Sequence, residues 1–301
     1  MVVQIVVASG KGGTGKTTVS SSLLYLFNKD GYNPIAIDAD VEAPDLVLAV
    51  GKSSIIKKDD IMESGVAEIH YEKCTYCMDC VDACQFRAIK NINNVPSVTR
   101  ELCEGCGTCA IVCPTKAISL KRIKTGQIEV YKSDCGVIIT GRLELGRRNS
   151  GLLVDIIREK MKEFLLDENK VVVIDAAPGI GCPVISSLTG ANYSVIVAEP
   201  TRSSHNSAKR LLELIKHFNM PAGIIINKYN INEEFVSFIK NWAKENNLDF
   251  LGIIPYDKSV PEAYVNMYPV MEYAPNSSAA KAIKQIYTNL LEKLMKLNLI
   301  S

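Results

Sequence analysis

The run SGKGGTGKTT at residues 9–18 narrows the folds open to this chain more than any other stretch. Gly10 to Thr17 fits the pattern G-x-x-x-x-G-K-[ST], with the apolar VVQIVVA before it and a helical pattern after it. A glycine-rich turn between a buried strand and a helix offers backbone N–H groups and the helix's positive end to phosphate oxygens. On that logic Gly10, Gly12, Gly13, Thr14 and Gly15 form a cradle and Lys16 reaches the β- and γ-phosphates. Thr17 takes Mg2+, and Thr18 donates to the α-phosphate. Such a loop stands on a parallel sheet, and the rest of the chain supplies one. Short β-branched runs near 2–8, 34–38, 170–175, 193–198, 222–227 and 250–254 alternate with helical patterns near 16–29, 151–166, 183–190, 204–218, 232–247 and 277–298. The expected class is α/β, a doubly wound parallel-sheet P-loop NTPase.

The acidic groups such a site needs follow in order. IAIDAD ends one strand with Asp38 and Asp40, and VVVIDAAPG ends another with Asp175. An aspartate at the tip of the strand beside the loop is the Walker-B position and holds Mg2+ through water; Asp175 takes that role. Gly179 fits a switch whose backbone N–H senses the γ-phosphate.

Between about 66 and 122 the alternation breaks, and eight of the ten cysteines fall there. CTYCMDCVDAC and CEGCGTCAIVC are both C-x2-C-x2-C-x3-C, so that Cys74 aligns with Cys103, and the match continues from Ala88-Ile89 to Ala117-Ile118. We expect a small α+β, ferredoxin-like domain at 66–122 inserted into an ATPase domain made of 1–65 and 123–301. The flanks GKSSIIKKDDIMESG and KRIKTGQ read as surface connections. The doubled motif is the bacterial two-cluster ferredoxin pattern, in which the fourth cysteine of each run serves the other cluster. One [4Fe-4S] cluster then belongs to Cys74, Cys77, Cys80 and Cys113, and the other to Cys103, Cys106, Cys109 and Cys84. Zinc also takes thiolates, but its four-cysteine sites pair two C-x2-C knuckles without the third and fourth cysteine seen here. The proline that usually follows the fourth cysteine is present after Cys113 and replaced by Gln85 after Cys84.

KGGTGKTT, with the additional Lys11, resembles the deviant Walker A of the MinD/ParA and nitrogenase-iron-protein group of P-loop ATPases. The likeness covers essentially the whole chain outside the insert, and the combination resembles MinD-superfamily ATPases that carry an inserted ferredoxin domain. It implies a homodimer in which Lys11 crosses to the partner's nucleotide, and a switch I aspartate, Asp40, that positions the attacking water. It also implies an adenine-recognising asparagine at Asn227 in INKYN. EPT at 199–201 and IPYD at 254–257 resemble the other base loops, which brings in Pro255 and Asp257; a helix cap is the alternative for Asp257. Cys182 in the switch II segment and Cys135 stand where that group holds a cluster shared between subunits. The competing expectation is two small buried apolar groups.

A net charge of +1 gives no electrostatic reason to expect nucleic acid. No apolar run long enough to span a bilayer and no leader pattern are present, so a cytoplasmic protein is expected. Ile283, Ile286, Leu290, Leu294 and Leu297 recur at helical spacing among Lys281, Lys284, Lys293 and Lys296, a helix expected to dock on its own domain rather than on a membrane. ATP, Mg2+ and two [4Fe-4S] clusters are the expected cofactors, and a redox or cluster-acceptor protein the expected partner. Three functions are open at this point: ATP-coupled electron transfer, an assembly scaffold or carrier for clusters, and a redox-sensing positioning switch.

Overall fold

The computed structural model describes residues 2–62, 65–147, 149–165 and 170–300. Cα neighbours group the chain into two units, Met1–Lys58 with Ile128–Arg142 and Asn149–Ser301, and Asp59–Gln127 with Leu143–Arg148. The chain begins β1 (Val3–Ala8), α1 (Lys16–Lys29), β2 (Ile35–Asp38), β3 (Ser53–Ile61). It continues as β4 (Gly65–Ile69), α2 (Asp79–Asp82), β5 (Ile89–Ile92), β6 (Val95–Val98), α3 (Thr108–Val112), β7 (Ile118–Arg122). Then come β8 (Gly126–Ser133), β9 (Gly136–Leu143), α4 (Ser150–Met161), β10 (Val171–Asp175), α5 (Cys182–Leu188) and β11 (Tyr193–Ala198). The last elements are α6 (Arg202–His217), β12 (Ala222–Asn227), α7 (Glu233–Glu245), β13 (Asp249–Ile254), α8 (Ser259–Val265), α9 (Val270–Tyr273) and α10 (Ser278–Lys296).

Among the described residues one sheet runs in the order β13-β12-β11-β1-β10-β2-β9-β8-β3. The strands from β13 to β9 are parallel, each to the next. β10, β11 and β12 are buried at every position, as strands covered on both faces must be. Register places Val7 beside Asp175 and Asp175 beside Asp38, so two carboxylates end neighbouring strands at the edge where the phosphate loop begins. That carboxyl end of a parallel sheet is where α/β folds bind ligands. On one side of the sheet α1 and α10 close the core, with Ile283, Ile286, Leu290 and Leu294 buried among Phe27, Val195 and Leu251. Tyr287 adds a hydrogen bond to Asp30 at 2.8 Å. Thus α10 docks on its own sheet, although Leu297, counted with its apolar stripe, is 43% exposed.

Three strands of this sheet escaped the sequence reading. The flank taken as a surface connection contains β3, whose side chains are largely exposed, so burial imposed no alternation on SSIIKKDDI. β8 does alternate over its first residues, and the short link Asp134-Cys135 joins it to β9. Of the expected helices, the one at 151–166 ends as α4 at Met161 and a short 3-10 turn; residue 166 lies outside the described residues.

The second unit turns the sequence repeat into an internal two-fold relation. β4 pairs antiparallel with β7, and β5 with β6, so the outer strand of each half pairs with an outer strand of the other. Ile69 faces Ile118, and its counterpart in the second copy of the repeat, Val98, faces Ile89. The backbone repeats as well. Positive φ occurs at Tyr76, Met78 and Arg87, and again at the equivalent positions of the second copy, Gly105, Gly107 and Lys116.

Candidate functional site

The phosphate loop is shaped by two close approaches. A Cβ on Gly10 would collide with the backbone of Ser207 on α6, and one on Gly15 with the amide of Asn227. Gly13 and Gly15 also hold φ of +78° and +89°, a region closed to most side chains. Gly15 is the N-cap of α1 and supplies no side-chain hydrogen bond, so the helix's first N–H groups stay available to an anion. Asn227 donates to the Thr14 carbonyl at 2.7 Å and accepts from the Lys228 N–H at 2.8 Å. One amide hydrogen of Asn227 therefore pins the loop, and only the second is left for any base.

Inside the loop, Lys16 is 2.8 Å from Asp175 Oδ1. Burial works against its charge, but Asp175 holds the Lys16 pKa above the usual range. Thr17 donates to Asp175 Oδ2 at 2.8 Å and Ser20 to Oδ1 at 2.7 Å. Asp38 is fully buried; burial and the nearby Asp175 raise its pKa, while Leu46 N–H donates to it at 2.9 Å. Asp40, half-buried, is also shifted upward by burial, against the pull of Lys16. Lys16, Thr17, Asp38, Asp40 and Asp175 thus meet at one place. Gly179 adopts φ +98° and donates its N–H to the Ser9 carbonyl at 2.9 Å, which puts the segment after β10 against the loop's first turn. The Thr17 hydroxyl beside the Asp175 carboxylate is a hard-oxygen pair of the kind that suits Mg2+.

Ser20 and Asp45 carried no signal that sequence reasoning used, and Glu199 and Lys228 lay in quoted stretches without a role of their own. Ser20 lies one helical turn after Lys16. Asp45 meets Thr17 at 3.2 Å and Tyr264 at 3.3 Å from a position with no motif. Lys228 follows Asn227 and reaches back to the Gly13 carbonyl at 3.0 Å, and Glu199 pairs with Lys11 at 2.7 Å. Asp257 accepts from Ser259 N–H and Oγ, from Ser278 Oγ and from Ala279 N–H at 2.6–3.1 Å, tying the starts of α8 and α10 together. Those bonds hold its carboxyl well below the usual range. Its neighbour Pro255 is partly buried directly after β13.

In the second unit Cys80 and Cys109 are buried with Ala67, Ile89 and Ile118. Burial pushes the Cys80 thiol up to about 11, with Cys109, Cys74 and Cys77 adding to it. Cys109 is raised by burial and by Cys103 and Cys106. The first three cysteines of each run thus feel one another electrostatically. Cys84, Cys103, Cys106 and Cys109 line one cavity with Phe86, Ala88 and Leu120. Backbone N–H groups point at the sulfurs. Ala88 donates to Cys84 at 3.3 Å and its repeat equivalent Ala117 to Cys113 at 3.2 Å, with Ala67 to Cys103 and Tyr76 to Cys74 both at 3.4 Å. Among the described residues no three His, Cys, Asp or Glu side chains crowd closely enough to hold a single metal ion. Thiols spread around an apolar cavity, with N–H groups aimed at sulfur, have the chemistry of a polynuclear iron–sulfur site.

The two remaining cysteines differ from the expectation of a buried pair. Cys135 is buried and its thiol donates to the Val50 carbonyl at 3.4 Å, whereas Cys182 is exposed at the start of α5. In the single chain Cys135 is therefore enclosed by its own core, as a small apolar group would be. His70 meets Ser119 at 2.9 Å, and Trp242 packs edge-on against His205.

Comparison with known proteins agrees with the loop and the sheet. An uncharacterized protein of Methanocaldococcus jannaschii is 34% identical over 298 residues, covering 97% of this chain and 98% of the relative. A protein of Pyrococcus furiosus named iron-sulfur cluster carrier protein is 22% identical over 308 residues, covering 98% of this chain and 87% of its own. The cell division ATPase MinD of Pyrococcus furiosus has the same fold, with a TM-score of 0.60 at 17% identity over 97% of this chain and all of that one. Residues 5–270 match the CobQ/CobB/MinD/ParA nucleotide binding domain, and the chain belongs to that family as a MinD/ParA-like ATP-binding protein.

Proposed function

We propose that this chain is a Mg2+-dependent ATPase whose nucleotide-driven homodimer controls electron transfer through two [4Fe-4S] clusters in an inserted ferredoxin-like domain. What carries the reading is the union, in one chain, of a complete phosphate loop and a doubled cysteine site whose N–H contacts to sulfur recur at the repeat distance. Lys16, Thr17 and Asp175 hold the phosphates and Mg2+, which when bound neutralises phosphate charge. Asp40 orients water at the γ-phosphate, the Gly179 N–H exchanges its bond to the Ser9 carbonyl for that phosphate when it is present, and Lys11 reaches the partner's nucleotide. Cys74, Cys77, Cys80 and Cys113 hold one cluster, and Cys84, Cys103, Cys106 and Cys109 the other. Bound clusters supply one-electron chemistry. The N–H groups of Ala88 and Ala117 stabilise negative charge on their sulfurs. Both connections to the cysteine-rich unit lie in the chain between Asp40 and Asp175, so the two switches flank it in sequence.

The experiment is an anaerobic redox titration followed by EPR, with and without Mg-ATP, on protein of measured iron content. A shift of about 60 mV or more, a tenfold change for one electron, supports coupling. Unchanged potentials with intact clusters and active hydrolysis refute it. The name of the Pyrococcus furiosus relative favours a second reading, an ATP-dependent cluster carrier. Full thiolate coordination weighs toward retention, so rapid ATP-dependent cluster loss to an apo-acceptor is the result that selects the carrier.

A further inference from the structure

Lys11 is engaged within its own subunit. Its ammonium lies 2.7 Å from one carboxylate oxygen of Glu199, while the other oxygen holds Lys228 at 2.8 Å. Lys228 in turn donates to the Gly13 carbonyl at 3.0 Å, so the three side chains tie the phosphate loop to the ends of β11 and β12. Glu199 is fixed from both sides. Its N–H donates to the Ser204 hydroxyl at 2.9 Å, and its carbonyl accepts from the Thr201 N–H at 2.8 Å. The Glu199 side chain is only 12% exposed, while that of Lys11 is 33% exposed and has a way out.

One carboxylate facing two ammoniums has a particular consequence. If Lys11 were the sole partner, its departure would strand a largely buried negative charge, a cost of the kind that makes such pairs permanent. With Lys228 in place, the carboxylate stays neutralised after Lys11 leaves. The pair with Lys11 is therefore exchangeable, and the pair with Lys228 is the structural one. We propose that Glu199 is a positioning residue that parks Lys11 in its own subunit and releases it to the partner's nucleotide when the dimer forms. This rests on the assignment of Lys11 to the partner's nucleotide made above.

The test is sedimentation velocity on the full chain, titrating a non-hydrolysable ATP analogue with Mg2+. Glu199→Gln keeps an acceptor for Lys228 but removes the charge that retains Lys11. It should lower the analogue concentration for half-dimerisation by about fivefold, the scale of a partly exposed ion pair. Lys11→Ala should not dimerise, and E199Q/K11A should behave like Lys11→Ala. A midpoint that is unchanged or raised in Glu199→Gln, with Lys11→Ala still monomeric, overturns the parking role. Normal dimerisation of Lys11→Ala overturns the assignment of Lys11 to the partner's nucleotide, and the parking role with it. Weaker analogue binding by E199Q/K11A than by Lys11→Ala would show that Glu199 merely shapes the loop, and overturns the proposal too. Glu199→Asp, whose shorter reach serves one lysine rather than two, gives the same reading should the glutamine variant not fold.

Discussion

Cys135 ends the link between β8 and β9 with its thiol turned to the Val50 carbonyl, while Cys182 opens α5 at the surface. Burial pushes the Cys135 thiol up to about 12, so in the folded chain it stays neutral and unreactive at pH 8. Iodoacetamide at that pH, applied to anaerobic cluster-loaded protein, should label Cys182 and leave Cys135 untouched until denaturant is added; peptide mapping reads both. The linkage sign follows from the raised value. The unfolded thiol ionises near pH 9 and the folded one does not, so the unfolded state loses a proton first and stability falls as pH rises above about 9. At pH 10.5 this amounts to about 2 kcal/mol, and Cys135→Ala should show a correspondingly shallower alkaline loss in urea denaturation. Gly15 tests the loop at the same scale. Its φ of +89° and its contact with Asn227 leave no room for a methyl group, so Gly15→Ala should weaken ATP-analogue binding at least about tenfold by calorimetry.

At the scale of elements, what the sequence revealed depended on whether a burial pattern had been written into it. β1, β10, β11 and β12 are buried at nearly every position and read as mostly apolar, β-branched runs, so their places were plain. β3 is exposed along most of its length, and its mixed Ile, Lys and Asp residues obey no periodicity. The loop motif marked Lys16 and Thr17, and strand ends marked Asp38 and Asp175. Asp45, Glu199 and Lys228 reach the loop only through the fold's crossovers, which no local spacing records. Helix α10 lies between these extremes: its stripe was legible, and its docking on the sheet decides what the stripe does. Leu290→Ala on that helix should cost about 2–4 kcal/mol in denaturant unfolding, as loss of a fully buried leucine does. With Ile283, Ile286, Leu290 and Leu294 committed to the core, the chain should pellet no better with anionic vesicles in ATP than without it. Co-sedimentation that rises with ATP would mean that the helix leaves the sheet.

For the whole molecule, the sharpest prediction follows from the internal two-fold of the cysteine-rich unit. If each run of four cysteines held its own cluster, Cys84 would belong with Cys74, Cys77 and Cys80. The structure instead puts Cys84 on the same cavity as Cys103, Cys106 and Cys109, and the halves are joined by crossed strand pairs rather than each closing on itself. Anaerobically reconstituted protein should therefore carry about eight irons per chain. Cys84→Ser and Cys106→Ser should then perturb one and the same cluster, and Cys113→Ser and Cys77→Ser the other. In EPR of the reduced protein, the first two variants should lose or shift matching signals, and the second two should lose the complementary ones. Each single variant should retain roughly half the iron, because the two sets share no cysteine. Should Cys84→Ser match Cys77→Ser instead, each run would serve its own cluster. The crossed arrangement would then be wrong, whatever the outcome for ATP coupling.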